Sequence, residues 1–487
     1  MGTCDTIDFR KIVLGKADAL EESVEYPDLL LKGYYDQHNV VELIHSTSKF
    51  LVLGYKGSGK SALSSHLKLS SENGEIVSQQ SLKDFPYKQF AKITSGEGEI
   101  EYRLKVAWRW LLLVQILSDL IHDKDAAFAK HEDVKAFVDF MTRSGVFPLM
   151  NMSALVTKTI SNTFKGSVQS FSYEHTTSSE NTQISFEWLI NYVKTIIENC
   201  KEHHNHILVI DGLDDILTSR EIQYQAIAAL INEAKDLNVF FRSANIPCKV
   251  IVLCRTDIFE RLPDGNKNKT RRDCSFTFTW YKEGSDKQND CGLIDILNLR
   301  GRLVYPDIED VIATFFPRRI DNEDIYSYLL ELTRHTPRDF MQLLVSIQSH
   351  CKTERPSIKD IHEGIKEYSN DYFMPEIKDE MAGYIPYQIV DPIINILGSF
   401  RTRVFSFNEF RDRFMKAITG NANTGIANTP DAVLSVLYDC SAIGHVYGDC
   451  SGKERITFKY RNRSSSFNTY DKIILHKGLW KALNVNF

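Results

Sequence analysis

The sequence predicts an α/β fold in which a parallel sheet carries helices on both faces. Three short apolar runs point to it, residues 50–53, 207–210 and 249–254, each of strand length and each followed at once by glycine or a charged residue. Helical spacing recurs between them, in residues 61–67 and 223–234. Strands alternating with helices is the pattern of a parallel sheet, whose crossovers are helical.

The first strand runs into Gly54-Tyr55-Lys56-Gly57-Ser58-Gly59-Lys60-Ser61, followed by Ala62, which satisfies G-x-x-x-x-G-K-[ST] in full. Its glycines let main-chain N–H groups approach phosphate oxygens with no Cβ in the way, and the helix that follows adds its positive N-terminal end. Lys60 is expected on the β- and γ-phosphates and Ser61 on Mg²⁺. Gly54 through Ala62 are the candidate nucleotide-binding residues.

The second strand delivers Asp211 to the edge where ligands sit in open α/β sheets, which makes it the magnesium candidate beside Ser61. Asp214 and Asp215 follow three and four residues later, and either could orient or deprotonate the attacking water. Arg255 ends the third strand, where a cation could sense and stabilise the transferring phosphate. Thr336-Pro337-Arg338-Asp339 opens a later helix and could bring Arg338 over the phosphates. Arg271 and Arg272 are candidates for a finger offered to a neighbouring subunit.

About 145 residues separate the loop from the second strand, more than a compact nucleotide domain needs, so a helical insertion is expected at about 100–165. Trp108, Trp110, Leu113, Ile116, Leu117 and Leu120 repeat there at core-helix spacing. The Ser/Thr-rich run 166–183 reads as an exposed loop. We divide the chain into an ATPase core at 1–300, a helical lid at 301–384 and a winged-helix-like domain at 385–487. In the last, helices precede two strand-like runs, 441–447 and 455–460, joined by a glycine-containing turn.

A chain of 487 residues with 43% hydrophobic and 25% charged residues can bury several cores. Its most apolar stretch, 107–117, contains Arg109 and is shorter than the roughly 20 residues of a membrane span. With Asp5, Asp8 and Arg10 interrupting the N-terminus, no signal peptide is read, and a cytoplasmic protein without membrane association is expected. Nine scattered cysteines show neither a disulfide framework nor zinc spacing. Residues 391–487 carry 13 Lys+Arg against 8 Asp+Glu, so a basic C-terminal unit of +5 sits on a body of −11.

The runs around Lys60, Asp211, Arg255 and Arg338 together resemble bacterial P-loop ATPases related to the STAND and AAA+ groups, of the additional-strand class. The resemblance covers most of the chain. It implies an oligomerising, nucleotide-controlled switch with ATP and Mg²⁺, Asp211 at the metal, Arg255 as a sensor and Pro337 with Arg338 near the adenine or phosphates. Antiphage settings and an effector protein partner are also implied. Asp215 stands where STAND relatives carry glutamate, which bears on hydrolysis rate. No guanine signature, transporter signature or dinucleotide loop accompanies the motif.

The leading expectation is therefore an ATPase switch that controls assembly, as a homo-oligomer, or partner binding. Its alternative is a DNA-binding, initiator-like ATPase in which Arg401, Arg403, Arg411, Arg413, Lys453, Arg455, Lys459, Arg461 and Arg463 meet phosphates. A protein that holds ATP without cycling it is a third reading.

Overall fold

A computed structural model describes residues 7–37, 39–71, 74–93, 99–123, 131–148, 151–161, 164, 186–199, 204–213, 221–282, 291–418, 429–448 and 454–485. Asp214 and Asp215, the polar run 166–183, Lys453 and the turn before it lie outside them.

The nucleotide half is a five-stranded parallel sheet of β1 (Leu51–Gly54), β2 (Glu75–Ser81), β3 (Asn205–Asp211), β4 (Cys248–Arg255) and β5 (Ser275–Thr277), in the order β2-β3-β4-β1-β5. All four residues of β1 are buried, so its apolar run faces helices on both sides. Strand β4 lies between the loop strand β1 and the acidic strand β3, which is the added strand of the expected class. Gly54 pairs in register with Arg255, and Asp211 pairs with Ser81. Asp211 thus lies two strands across from Val52, two residues short of the level of Gly54, or roughly 12 Å from the start of the phosphate loop.

The expected insertion is in part a wall of this core. Its long helix Ile100–His122 shares one apolar cluster with the helix Glu221–Ser243 and the sheet. Trp108 Nε1 donates to Ala226 O at 2.7 Å, and Arg109 makes a two-pronged pair with the fully buried Glu233 at 2.7 and 2.9 Å. No helix among the described residues is long and apolar enough to cross a membrane.

Beyond Arg300 come a short hairpin of β6 (Arg319–Ile320) and β7 (Glu323–Asp324) and then the helices Ile325–Leu330, Pro337–His350, Ile358–Glu367 and Met374–Ala382. The C-terminal part sets Tyr387–Phe400, Phe407–Ile418 and Pro430–Asp439 against an antiparallel sheet of β8 (Val404–Phe405), β9 (Ile443–Gly448), β10 (Glu454–Thr457) and β11 (Lys472–Leu475), ordered β10-β9-β11-β8. Helices precede the β9–β10 hairpin, and β11 lies between β9 and β8.

Lid and C-terminal residues belong to a single apolar cluster, which also takes in Phe9, Ile12 and Leu14. Phe373 stacks on His476 with centroids 4.9 Å apart, and Ser369 Oγ donates to Gly478 O at 2.6 Å. The N-terminal residues are thus anchored on the lid, where Gln348 Nε2 donates to Phe9 O and Ile12 O at 2.7 and 2.9 Å.

Candidate functional site

The phosphate loop leaves β1 at Gly54 and enters the helix Lys60–Ser70, with Gly57 (φ +79°) and Gly59 (φ +97°) in the left-handed region that favours glycine. A Cβ on Gly54 would lie 2.2 Å from Ser58 Oγ, so this position also requires glycine for space. Lys60 is 4% exposed, and its ammonium donates to Gly54 O and Tyr55 O at 3.2 Å each. The loop therefore folds around its own lysine. Ser58 Oγ is enclosed and has no hydrogen-bond partner among the described residues. Trp280 Nε1 donates to Ser58 O at 2.9 Å and pins the loop from behind.

Gly57 through Ala62 line one cleft with Pro337 and Arg338. The helix Pro337–His350 begins at it: Thr336 caps that helix by accepting from Asp339 N–H at 3.2 Å, Pro337 takes the first helical position, and Arg338 N–H donates to Gly57 O at 3.3 Å. Glu376, from the next lid helix but one, pairs with Lys56 Nζ at 2.9 Å and stands 4.0 Å from Arg338 Nη1.

Tyr55, Lys56 and Arg255 line a second cavity, between the core, the lid and the C-terminal part. Arg255 starts beside Gly54, but its guanidinium turns to Asp257, donating at 3.0 and 2.6 Å. Tyr384 of the lid donates to the same carboxylate at 2.5 Å. Burial of Asp257 opposes its charge, yet the Arg255 guanidinium and the hydrogen bonds from Arg255 and Tyr384 outweigh it and hold the pKa at about 2. In this conformation Arg255 is thus bound to a carboxylate, where the sequence placed it at a phosphate. Below it Arg334 joins Asp339 at 2.8 Å and Glu380 at 2.6 Å, all three buried.

Asp211 closes β3 with its Oδ1 accepting from Gly212 N–H at 2.7 Å. Gly212 (φ +77°) turns so tightly that a Cβ would lie 2.7 Å from Ser81 Oγ. Ser61 lines the cleft and Asp211 does not, although a hydroxyl and a carboxylate are donor types that suit a hard divalent cation. Of the finger candidates, Arg271 pairs with Glu260 of its own chain and Arg272 is exposed.

Two of the basic residues read as phosphate contacts, Arg461 and Arg463, are corrected by their surroundings, and a third, Lys459, is held by a neighbouring carbonyl. Arg461 Nη2 donates to Glu331 Oε1 at 2.9 Å, Arg463 Nη2 donates to Phe278 O at 2.8 Å, and Lys459 Nζ donates to Ser465 O at 2.6 Å. Arg461 and Arg463 tie the C-terminal part to the lid and to the nucleotide core, so they face inward. Conversely, the cleft is lined by residues to which local sequence gave no role: Lys16, Ala17, Glu22, Tyr34 and Arg300. Gly15, set after the apolar run Ile12-Val13-Leu14, was their one visible signal.

No family model and no curated protein matches the chain. Among solved structures it is similar to the Orc1 protein of Aeropyrum pernix in complex with DNA, at 12% identity over 95% of each chain with a TM-score of 0.40. It is also similar to the Walker-type ATPase PABY2304 of Pyrococcus abyssi, at 12% identity over 88% of this chain and 95% of that one with a TM-score of 0.36. Cdc6p from Pyrobaculum aerophilum matches at 10% identity over 98% of each chain with a TM-score of 0.31. Likenesses of this size do not bear on what the site does. Its chemistry rests on its own residues.

Proposed function

We propose that the chain binds ATP with Mg²⁺ on the loop Gly54–Ser61 and hydrolyses it slowly as a switch that governs assembly or partner binding. One observation carries this reading: a complete phosphate loop at the end of β1, wrapped around Lys60, with Asp211 two strands away across an interposed β4. Main-chain N–H groups of Gly57 through Lys60 and the Lys60 ammonium would hold the triphosphate, and Ser58 Oγ would gain the partner it lacks. Ser61 and Asp211 would hold the metal, which supplies charge that polarises the transferring phosphoryl group. Asp214 or Asp215 would activate water, and Arg338 would bridge loop and lid. Arg255 would act after leaving Asp257. A homo-oligomer in which Arg271 or Arg272 meets a neighbour's site belongs to the same reading. Antiphage defence and an effector protein, implied by resemblance alone, form no part of it.

Calorimetry with Mg-ATP tests the proposal, with heat expected from the parent chain and none from Lys60→Ala; undiminished binding by the variant would end it.

The alternative, DNA binding by the C-terminal part, is favoured by one surface. Tyr470 is 96% exposed, and Tyr447 and Arg455, cross-strand neighbours on one face of the β9–β10 hairpin, are both exposed. Bases stack on such aromatic groups while cations neutralise phosphates. Binding to labelled single-stranded or duplex DNA across a salt series, weakened by Arg455→Glu, is the outcome expected of it. No shift at low salt would remove it.

A further inference from the structure

The cleft has a second wall that phosphate chemistry does not explain. Residues 14–17 form a strap that lines it at Lys16 and Ala17, anchored on the lid through Phe9 and Ile12 and continuing into the helices Ala19–Glu25 and Pro27–Leu31, which pack against the loop helix. A triphosphate seated on Gly57 through Ala62 carries its nucleoside outward along this cleft. There the lining turns apolar, with Ala17, Ala19, Leu30, Ile296 and Met341.

The strap is held by a buried ion pair. Arg300 Nη2 donates to Glu22 Oε1 at 2.7 Å, and its Nη1 donates to Leu14 O. The other carboxylate oxygen, Glu22 Oε2, accepts from Lys16 N–H at 2.7 Å. The pair thus grips the main chain on both sides of Gly15, which adopts φ +93° and where a Cβ would lie 2.1 Å from both Arg300 Nη1 and Glu22 Oε2. Glu22 is 3% exposed and Arg300 9%, and both line the cleft. Arg300 Nε has no partner among the described residues. Burying two charges is costly unless they are closely paired and hydrogen-bonded, so a pair whose remaining valences go to one short strap fixes that strap's position.

We propose that the Arg300–Glu22 pair is a positioning device that sets the strap 14–17 over the nucleobase, so that recognition of the base, and not of the phosphates, depends on it. The inference rests on the nucleotide reading of the loop. Glu22, Arg300 and Gly15 are positioning residues; the strap and the apolar slot beside it form the surface the base meets.

The experiment compares ATP with inorganic tripolyphosphate, which lacks base and sugar, by calorimetry on the full chain. For Arg300→Met and Glu22→Gln, ATP affinity is expected to fall about tenfold while tripolyphosphate affinity changes less than about twofold. Should either substitution unfold the chain, Gly15→Ala, whose Cβ would press on both Arg300 Nη1 and Glu22 Oε2, separates the strap from the pair while keeping both charges and carries the same expectation. Arg300→Lys, which keeps the ion pair, should recover part of the ATP preference. Equal losses for both ligands, or an unchanged ATP preference in the folded variants, overturns the proposal. A parent chain that binds neither ligand overturns the nucleotide reading itself, a result distinct from the other two.

Discussion

Lys56 of the phosphate loop and Glu376 of the lid are ion-paired at 2.9 Å, and Arg338 Nη1 approaches the same carboxylate oxygen at 4.0 Å. A carboxylate therefore stands beside Arg338, which lines the cleft at the phosphate loop, while it is paired with Lys56 on the loop's other side, and a nucleotide seated in the cleft would compete with it for Arg338.

Removing that competitor strengthens nucleotide binding. Glu376→Gln keeps size and shape, and a partly exposed pair of this kind is worth up to about 1 kcal/mol, so ATP affinity should rise roughly fivefold. The gain should shrink with salt in a calorimetric titration. Weaker ATP binding by the variant would show that Glu376 holds Arg338 in its working position instead.

Lys60→Ala deletes an ammonium whose bonds to phosphate are charge-assisted. A loss of about 3 kcal/mol, or about a hundredfold in affinity, is expected. Asp211→Asn should instead leave metal-free ATP binding near the parent value and abolish the increment that Mg²⁺ adds.

The Arg255–Asp257 pair is enclosed, so its two sides respond unequally. Asp257→Ala takes the carboxylate from a buried guanidinium and should cost about 3 kcal/mol in urea unfolding. Tyr384→Phe removes one hydrogen bond to the same carboxylate and should cost about 1 kcal/mol. Similar small costs for both would mean that water reaches Arg255.

His335 and His476 predict a dependence on pH. Burial, with the charge of Arg461 beside His335 and of Arg334 and Arg461 near His476, pushes each imidazole down to about 3. Since this is below the unfolded value of about 6.5, the unfolded chain takes up protons first as pH falls. Stability from the two neutral rings is complete above about pH 6.5 and declines toward about pH 3, by at most about 1.4 kcal/mol per unit per histidine. Urea midpoints should drop between about pH 7.5 and 5.5, and His335→Gln with His476→Gln should flatten the slope. Midpoints level over that range would contradict the assignment.

Much of the nucleotide half was legible because β1, β3 and β4 are buried on both faces and read as unbroken apolar runs. Strand β2 was missed: at the sheet edge only Val77 of its seven residues is buried, so Glu75-Ile76-Val77-Ser78-Gln79-Gln80-Ser81 reads as a loop. Strand β5 has three residues, too few for any period. The loop glycines and the Thr336–Pro337 helix start were readable because their chemistry is local. The partners of Arg255, Arg461 and Arg463 were not, since charge alone does not say whether an arginine meets solvent, a carbonyl or a carboxylate 130 residues away. The strap at 14–17 escaped notice for the same reason: what fixes it is Arg300, 286 residues downstream of Leu14.

The cluster shared by the Phe373 and His476 regions has a practical bearing on dissecting the chain. A cut near residue 385, where texture changes in the sequence, would leave Phe340, Ile377 and Met381 on one fragment and Leu397, Phe410 and Leu479 on the other, each shorn of its neighbours. Both pieces should then clump in solution, whereas the two expressed together should reassemble and elute as one species. The two segments should thus fold, and unfold, together.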